Sequence, residues 1–287
     1  MMFLIILSFA AMGACMDYSD FLGRNISLPL CAAAYSSHPS QCLRKRLSTS
    51  TIETFSAQVV GGSCSGLIVT LPEPKTSPTV ALSFMANISE PTDFESFKDL
   101  FFPLVKWQHE GKVSKFLEHA YRNLWQNGEM KKRFQEIMKT QEYQEVLDIQ
   151  ITGDSFGGAV AALVAHDIVK THLAKKDKVT LITLGQSMVG NKKFVEAYEK
   201  QVIHSYRVVR RGDSIPHVPG RENGYEYNGR EVFYEKPGMK SDGITGFKVC
   251  ESPTEKGCSL TQINPVRADD NDVYFRRNVT TYGSICK

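Results

Sequence analysis

Along the chain, short strand-like runs alternate with stretches of helical spacing. Leu67–Leu71 and Val80–Phe84 are brief apolar runs on either side of a proline-rich PEPKTSPT segment, which predicts a hairpin. Phe94, Phe97, Phe101 and Leu104 recur at helical spacing within Asp93–Val105, as do Val113, Phe116, Leu117, Ala120 and Leu124. Glu145–Thr152 alternates and predicts a strand. The Ala-rich, apolar stretch Gly157–Leu173 predicts a helix. Val179–Leu184 predicts a buried strand, Phe194–Lys200 a helix and Tyr206–Val209 another strand. Tyr225–Tyr234 predicts a hairpin, because Asn228-Gly229 suits a type I′ turn. Strands alternating with helices imply an α/β fold with a mostly parallel central sheet flanked by helices. No repeat or low-complexity linker divides the chain, so residues 16–287 are expected to form one domain.

Composition changes this picture mainly by exclusion. At 287 residues, 42% hydrophobic and 23% charged, the chain is long enough for a substantial core and too apolar for disorder. Thirty-four basic against 31 acidic side chains leave +3, which argues against nucleic acid as a partner. The short runs Lys131–Phe134 and Lys175–Lys178 are expected to be solvated faces. Phe3–Ala14 is too short to span a bilayer and has the form of a secretory apolar core, which places a signal peptide at residues 1–15. No later segment offers a transmembrane anchor, so the expectation is a secreted, extracellular protein.

With Cys15 at the cleavage point, Cys31, Cys42, Cys64, Cys250, Cys258 and Cys286 remain, an even number that suggests three disulfides of open connectivity. Cys250 and Cys258 bracket a short loop and suit a local bridge. Cys286 suits a tie from the C-terminus to the N-terminal segment. Asn25, Asn87 and Asn278 head N-glycosylation sequons. The cysteine spacings do not suit zinc, and Asp269, Asp270 and Asp272 lack the spacing of a calcium loop. Neither metal nor cofactor is expected.

The chemistry centres on Gly153-Asp154-Ser155-Phe156-Gly157, a G-x-S-x-G pattern. A serine on a sharp strand-to-helix turn stands clear of the sheet, small neighbours permit the bend, and the helix N-terminus favours an oxyanion. A strand predicted before it and a helix predicted after it supply the required context.

Several ordered blocks then carry a resemblance to the class 3 (fungal-type) lipases, especially secreted nematode members. LCAAAYSSHPSQCL at Leu30–Leu43 resembles the family's AAY…P…C segment, and VALSFMAN at Val80–Asn87 occupies the place of its strand and FRG[ST] motif. ITGDSFGGAVAAL at Ile151–Leu163 resembles TGHSLGGALA. LITLGQSMVGNKKF at Leu181–Phe194 is similar to TFGxPRVGNxxF, and YRVVRRGDSIPHVP at Tyr206–Pro219 to YRVVxxxDxVPHLP. The resemblance implies an α/β-hydrolase fold, acylglycerol ester hydrolysis, and a lipid or ester ligand met at a lipid interface. It makes Ser155 the nucleophile, Asp213 the triad acid, and Phe156 N–H and Asn87 the oxyanion donors. It also makes Asp93–Val105 the region of the lid, although a core-facing helix fits the same spacing.

The sequence departs from that pattern where the base belongs. The family's D-H-x-x-Y-F block reads Asp270-Asn271-Asp272-Val273-Tyr274-Phe275, so Asn271 replaces the histidine. An amide has no lone pair basic enough to take a serine proton near neutrality. FRG[ST] reads Phe84-Met85-Ala86-Asn87, and Asn87 also heads a sequon. Pro-Arg becomes Ser187-Met188. Impaired catalysis is expected, unless a histidine from another position serves. His217, His109 and His119 are the candidates for that, each with structural duty as its default.

Overall fold

The structure, a computed structural model, describes residues 18–44, 47, 51–71, 79–89, 93–140, 148–235, 239, 246–262 and 273–285. Its centre is an eight-stranded sheet whose strand order follows the chain. The strands are β1 (Thr51–Val59), β2 (Gly62–Leu71), β3 (Thr79–Ile88), β4 (Asp148–Asp154), β5 (Val179–Leu184), β6 (His204–Arg210), β7 (Arg230–Tyr234) and β8 (Lys248–Cys250). The pairings from β3 to β7 are parallel, and those at either margin are antiparallel. The mostly parallel sheet and the α/β-hydrolase fold are therefore as expected.

The alternation of side chains along a strand explains the two cores. On β3, Val80, Leu82 and Phe84 face one cluster while Ala81 faces the other. The first face is covered by α2 (Phe94–Phe101), α3 (Lys115–Tyr121), α4 (Glu129–Met138), α5 (Ser155–Lys170) and α6 (Lys192–Gln201). The second face is covered by α1 (Leu28–Ala34) and α7 (Val279–Ile285). Strand β5 has helices on both sides and is buried at every residue, as a continuous apolar run requires.

One buried acid fastens several elements to α5. Asp167 accepts hydrogen bonds from Trp125 Nε1 at 2.9 Å, Gln108 Nε2 at 2.9 Å, His109 Nε2 at 3.1 Å and Lys131 Nζ at 2.6 Å. Burial alone would push this carboxyl up, but the hydrogen bonds from His109, Lys131 and Trp125 outweigh it and bring the carboxyl down to about 2. Lys131 is thus not simply part of a solvated face, and Phe134 in the same run is fully buried.

Two further expectations need correction. Tyr225–Tyr234 is not a hairpin: only Arg230–Tyr234 is a strand, and it runs parallel to β6. A type I′ turn needs positive φ at both central residues, but only Gly229 has it. Asn228 is instead held by tertiary contacts. Its Oδ1 accepts from Gln186 Nε2 at 3.0 Å, and its carbonyl accepts from Arg207 Nε at 2.8 Å.

The second correction concerns the cysteines. Cys250–Cys258 is bridged as expected, and Cys42 is disulfide-bonded to a partner outside the described residues. Cys31 and Cys64 are free buried thiols, not disulfide partners. They cannot meet, because Cys31 packs against Thr152 on the α1 face while Cys64 points into the α5 face. Residues 1–17, the segment between β2 and β3 at 72–78, the acidic cluster at 269–272 and Cys286 lie outside the described residues, so the expectations placed there stay open. Among the described residues no helix is long and apolar enough to cross a membrane.

The Asp167 network generates a prediction. Asp167→Asn leaves Lys131 without its carboxylate, and urea denaturation at pH 7 is expected to show a loss of about 3 kcal/mol. Because the folded value is depressed, the stabilisation is complete above the unfolded carboxyl value of about 3.9 and fades as pH falls towards 2. The difference between wild type and variant should therefore shrink over that interval.

Candidate functional site

Strand β4 delivers Gly153 and Asp154, and α5 begins at the next residue. Ser155 sits in the left-handed region with φ 54°, an arrangement that is rare for a residue with a side chain. The flanking glycines are needed because backbones meet there. A Cβ on Gly153 would stand 2.4 Å from Gly157 O, and one on Gly157 would stand 2.3 Å from Phe84 O. Asp154 occupies the N-cap position yet caps nothing with its side chain. The first amides of α5, that of Phe156 among them, therefore lie at the positive end of the helix without a side-chain cap.

Asp213 follows β6 in a tight turn and is buried. Its Oδ1 accepts from Ile215 N at 3.0 Å, and its Oδ2 accepts from Tyr274 OH at 2.5 Å. Burial, and then the Asp213 charge, push the Tyr274 phenol well above its ordinary value, so it remains a donor. Gly185 makes room for this pair, since a Cβ there would lie 2.8 Å from Asp213 Oδ2 and 2.9 Å from Tyr274 OH.

The sequence did not single out Asp154, Tyr35 or Tyr274. Asp154 is buried on the α1 face and accepts from Tyr35 OH at 3.1 Å. Burial, with Asp154 as the next contribution, raises the Cys31 thiol and keeps it protonated and inert. A polar residue closing a buried strand was the only signal of this cluster.

All seven histidines lie among the described residues, and none hydrogen-bonds Ser155. His217 Nδ1 bonds Tyr227 OH at 2.9 Å, and burial lowers its imidazole to about 4. His109 is bound to Asp167, and His166 Nδ1 accepts from Trp107 Nε1 at 3.1 Å. His166 is eleven residues along α5 from Ser155, about 16 Å at the helical rise. His119 is half-buried on α3, His38 and His172 are exposed, and His204 opens β6 at the end remote from Asp213. The Ser155 hydroxyl has no hydrogen-bond partner among the described residues. Asn271 lies outside them.

Above the elbow stands α2, capped by Asp93, whose Oδ1 accepts from Ser96 N at 2.9 Å. Its Phe97 and Phe101 rings pack on Phe156 with centroids 6.1 and 4.8 Å apart. Phe101 is fully buried, while Phe94 is 64% exposed. Asn87 is an exposed residue of β3 paired with Ser63, beyond the last β3–β4 pair at Phe84 and Gly153.

Sheet order and elbow geometry define an α/β-hydrolase with its serine at the turn after the fourth strand. The chain belongs to the class 3 lipase family, whose model matches residues 83–223. It is 30% identical over 209 residues to a Caenorhabditis elegans protein named lipase ZK262.3, a match covering 67% of this chain and 54% of that one. It thus spans about half the length of that relative. A Malassezia globosa protein named secreted mono- and diacylglycerol lipase MDL5 is 26% identical over 167 residues, 52% of this chain and 47% of its own. The crystal structure of a Rhizopus microsporus var. chinensis lipase superposes with a TM-score of 0.72 at 21% identity, covering 92% of this chain and 90% of its own, which shows the shared fold.

Removing the Tyr274 hydroxyl tests the acid's setting. Tyr274→Phe leaves the buried Asp213 Oδ2 without this donor, and thermal or urea denaturation should show a loss of about 1–3 kcal/mol. An unchanged midpoint would mean that Asp213 does not depend on this hydroxyl.

Proposed function

We propose that this chain is a secreted class 3 lipase-like protein that binds an acyl lipid or ester at the elbow and hydrolyses it poorly or not at all. Ser155 is the nucleophile position, Asp213 the acid position and Phe156 N–H the oxyanion donor; Asn87, the second donor that the family pattern implies, is exposed three residues past the last β3–β4 pair and is given no part in this reading. Asn271 stands in place of the base. In acyl transfer the serine oxygen attacks the ester carbonyl while a base takes its proton and later gives it to the leaving group. Here no described residue stands in hydrogen-bond contact with the Ser155 hydroxyl, so ligand binding outlives turnover.

The observation that carries this reading is that none of the seven histidines hydrogen-bonds Ser155, three of them being held by Tyr227, Asp167 and Trp107, set beside an amide at position 271. Secretion is supported by the apolar N-terminal run, by the Cys250–Cys258 bridge and by the likeness to a Malassezia relative named as a secreted lipase. The ligand class follows from the family, among whose fold relatives is a solved triacylglycerol lipase described as having a serine-protease triad. The competing reading, an active serine esterase drawing its base from elsewhere, is favoured by the retained Ser155 geometry.

A fluorophosphonate probe decides between them. Wild-type protein should label slowly at Ser155. Asn271→His should accelerate labelling and ester hydrolysis by roughly 100-fold or more, the range of a restored general base, and Ser155→Ala should abolish both. Rapid stoichiometric labelling of the wild type would establish an active hydrolase instead.

A further inference from the structure

The three sequons differ in what their asparagines are doing. Asn25 lies in a helical turn, where its Nδ2 donates to Phe21 O at 3.1 Å, and the Ser27 of its sequon is buried. Asn278 is half-buried, and its Oδ1 accepts from Thr281 N at 2.7 Å at the start of α7. Asn87 is exposed on extended backbone, and neither oxygen nor nitrogen of its amide is engaged by a described residue. Ser89, which completes the sequon, is exposed, and its backbone N–H donates to Gly61 O at 3.0 Å.

The location adds to the chemistry. Strand β3 continues past its last pairing with β4 at Phe84, so Asn87 stands about 10 Å beyond that pair at the rise of an extended strand. This is the edge of the sheet from which α5 and the elbow emerge. Phe94, the exposed ring of α2, follows seven residues later.

We propose that Asn87 carries an N-linked glycan that shields the elbow face from lipid surfaces, so that the protein takes its acyl ligand as single molecules from water. The glycosidic bond forms between Asn87 Nδ2 and the anomeric carbon of an oligosaccharide. The oligosaccharide leaves a lipid-linked pyrophosphate donor as Nδ2 gives up one proton. A bulky hydrated group fixed at this edge opposes insertion of the Phe94 face, which needs burial of apolar area in the headgroup region. The inference rests on the reading of a secreted lipid-binding chain and concerns how its ligand arrives.

The full chain secreted from eukaryotic cells provides the test. Glycosidase release in heavy-oxygen water, followed by peptide mass spectrometry, should show Asn87 converted to labelled Asp. Ser89→Ala removes the sequon and keeps the Asn87 side chain, and Asn87→Gln provides a second non-glycosylated form. Both variants should partition several-fold more strongly than wild type onto phosphatidylcholine vesicles carrying diolein. An unmodified Asn87 in the secreted protein, or equal partitioning of all three proteins, overturns the proposal. Neither readout depends on Ser155 labelling, so failure here is separable from failure of the catalytic reading.

Discussion

The structure depends on how closely α5 is pressed against the end of β3. No side chain intervenes, because Gly157 lies where a Cβ would strike Phe84 O, and Gly153 lies where one would strike Gly157 O. The helix must therefore start directly at the strand end, and Ser155 takes the left-handed conformation that this demands. Such strain costs about 1–3 kcal/mol. Val160, Leu163, Val164 and Ile168 on the same helix are buried, each contributing roughly 1.5–3 kcal/mol. The core alone offsets the strain, so the elbow persists whether or not its serine performs chemistry. A well-formed elbow is therefore compatible with either functional reading.

Asp213 is similarly independent of a histidine. A buried carboxylate left without partners is costly, and removing one member of a triad would ordinarily expose that cost. Asp213 avoids it, since its oxygens already accept from a turn amide and from the Tyr274 hydroxyl. Asp154, the buried acid next to Ser155, accepts from Tyr35 in the same manner. Both carboxylates therefore keep hydrogen-bond donors that owe nothing to a histidine.

Legibility in the sequence followed the range of the interactions. Val179–Leu184 was readable to the residue because an unbroken apolar run records burial on both faces. Ser155 and Asp213 were readable because each lies in a local motif. Their tyrosine partners were not, since Tyr35 is 119 residues from Asp154 and Tyr274 is 61 from Asp213. The Asn228-Gly229 error came from local turn preference, which yielded to Gln186 and Arg207 holding Asn228 from other elements. The cysteine error came from counting. Parity suggests pairs, but a sheet stands between Cys31 and Cys64.

The α2 helix, for which lid and core were equally open from spacing alone, combines both characters along its length. Phe101 is anchored on Phe156 and fully buried, Phe97 is half-buried on the same ring, and Phe94 projects into solvent. Phe156 is also the residue directly after Ser155. A single residue therefore seats the helix and sits beside the serine, so the α2 anchor and the elbow share one contact surface. The anchor is a set of aromatic contacts, each worth about 0.5–1.5 kcal/mol beyond its buried area.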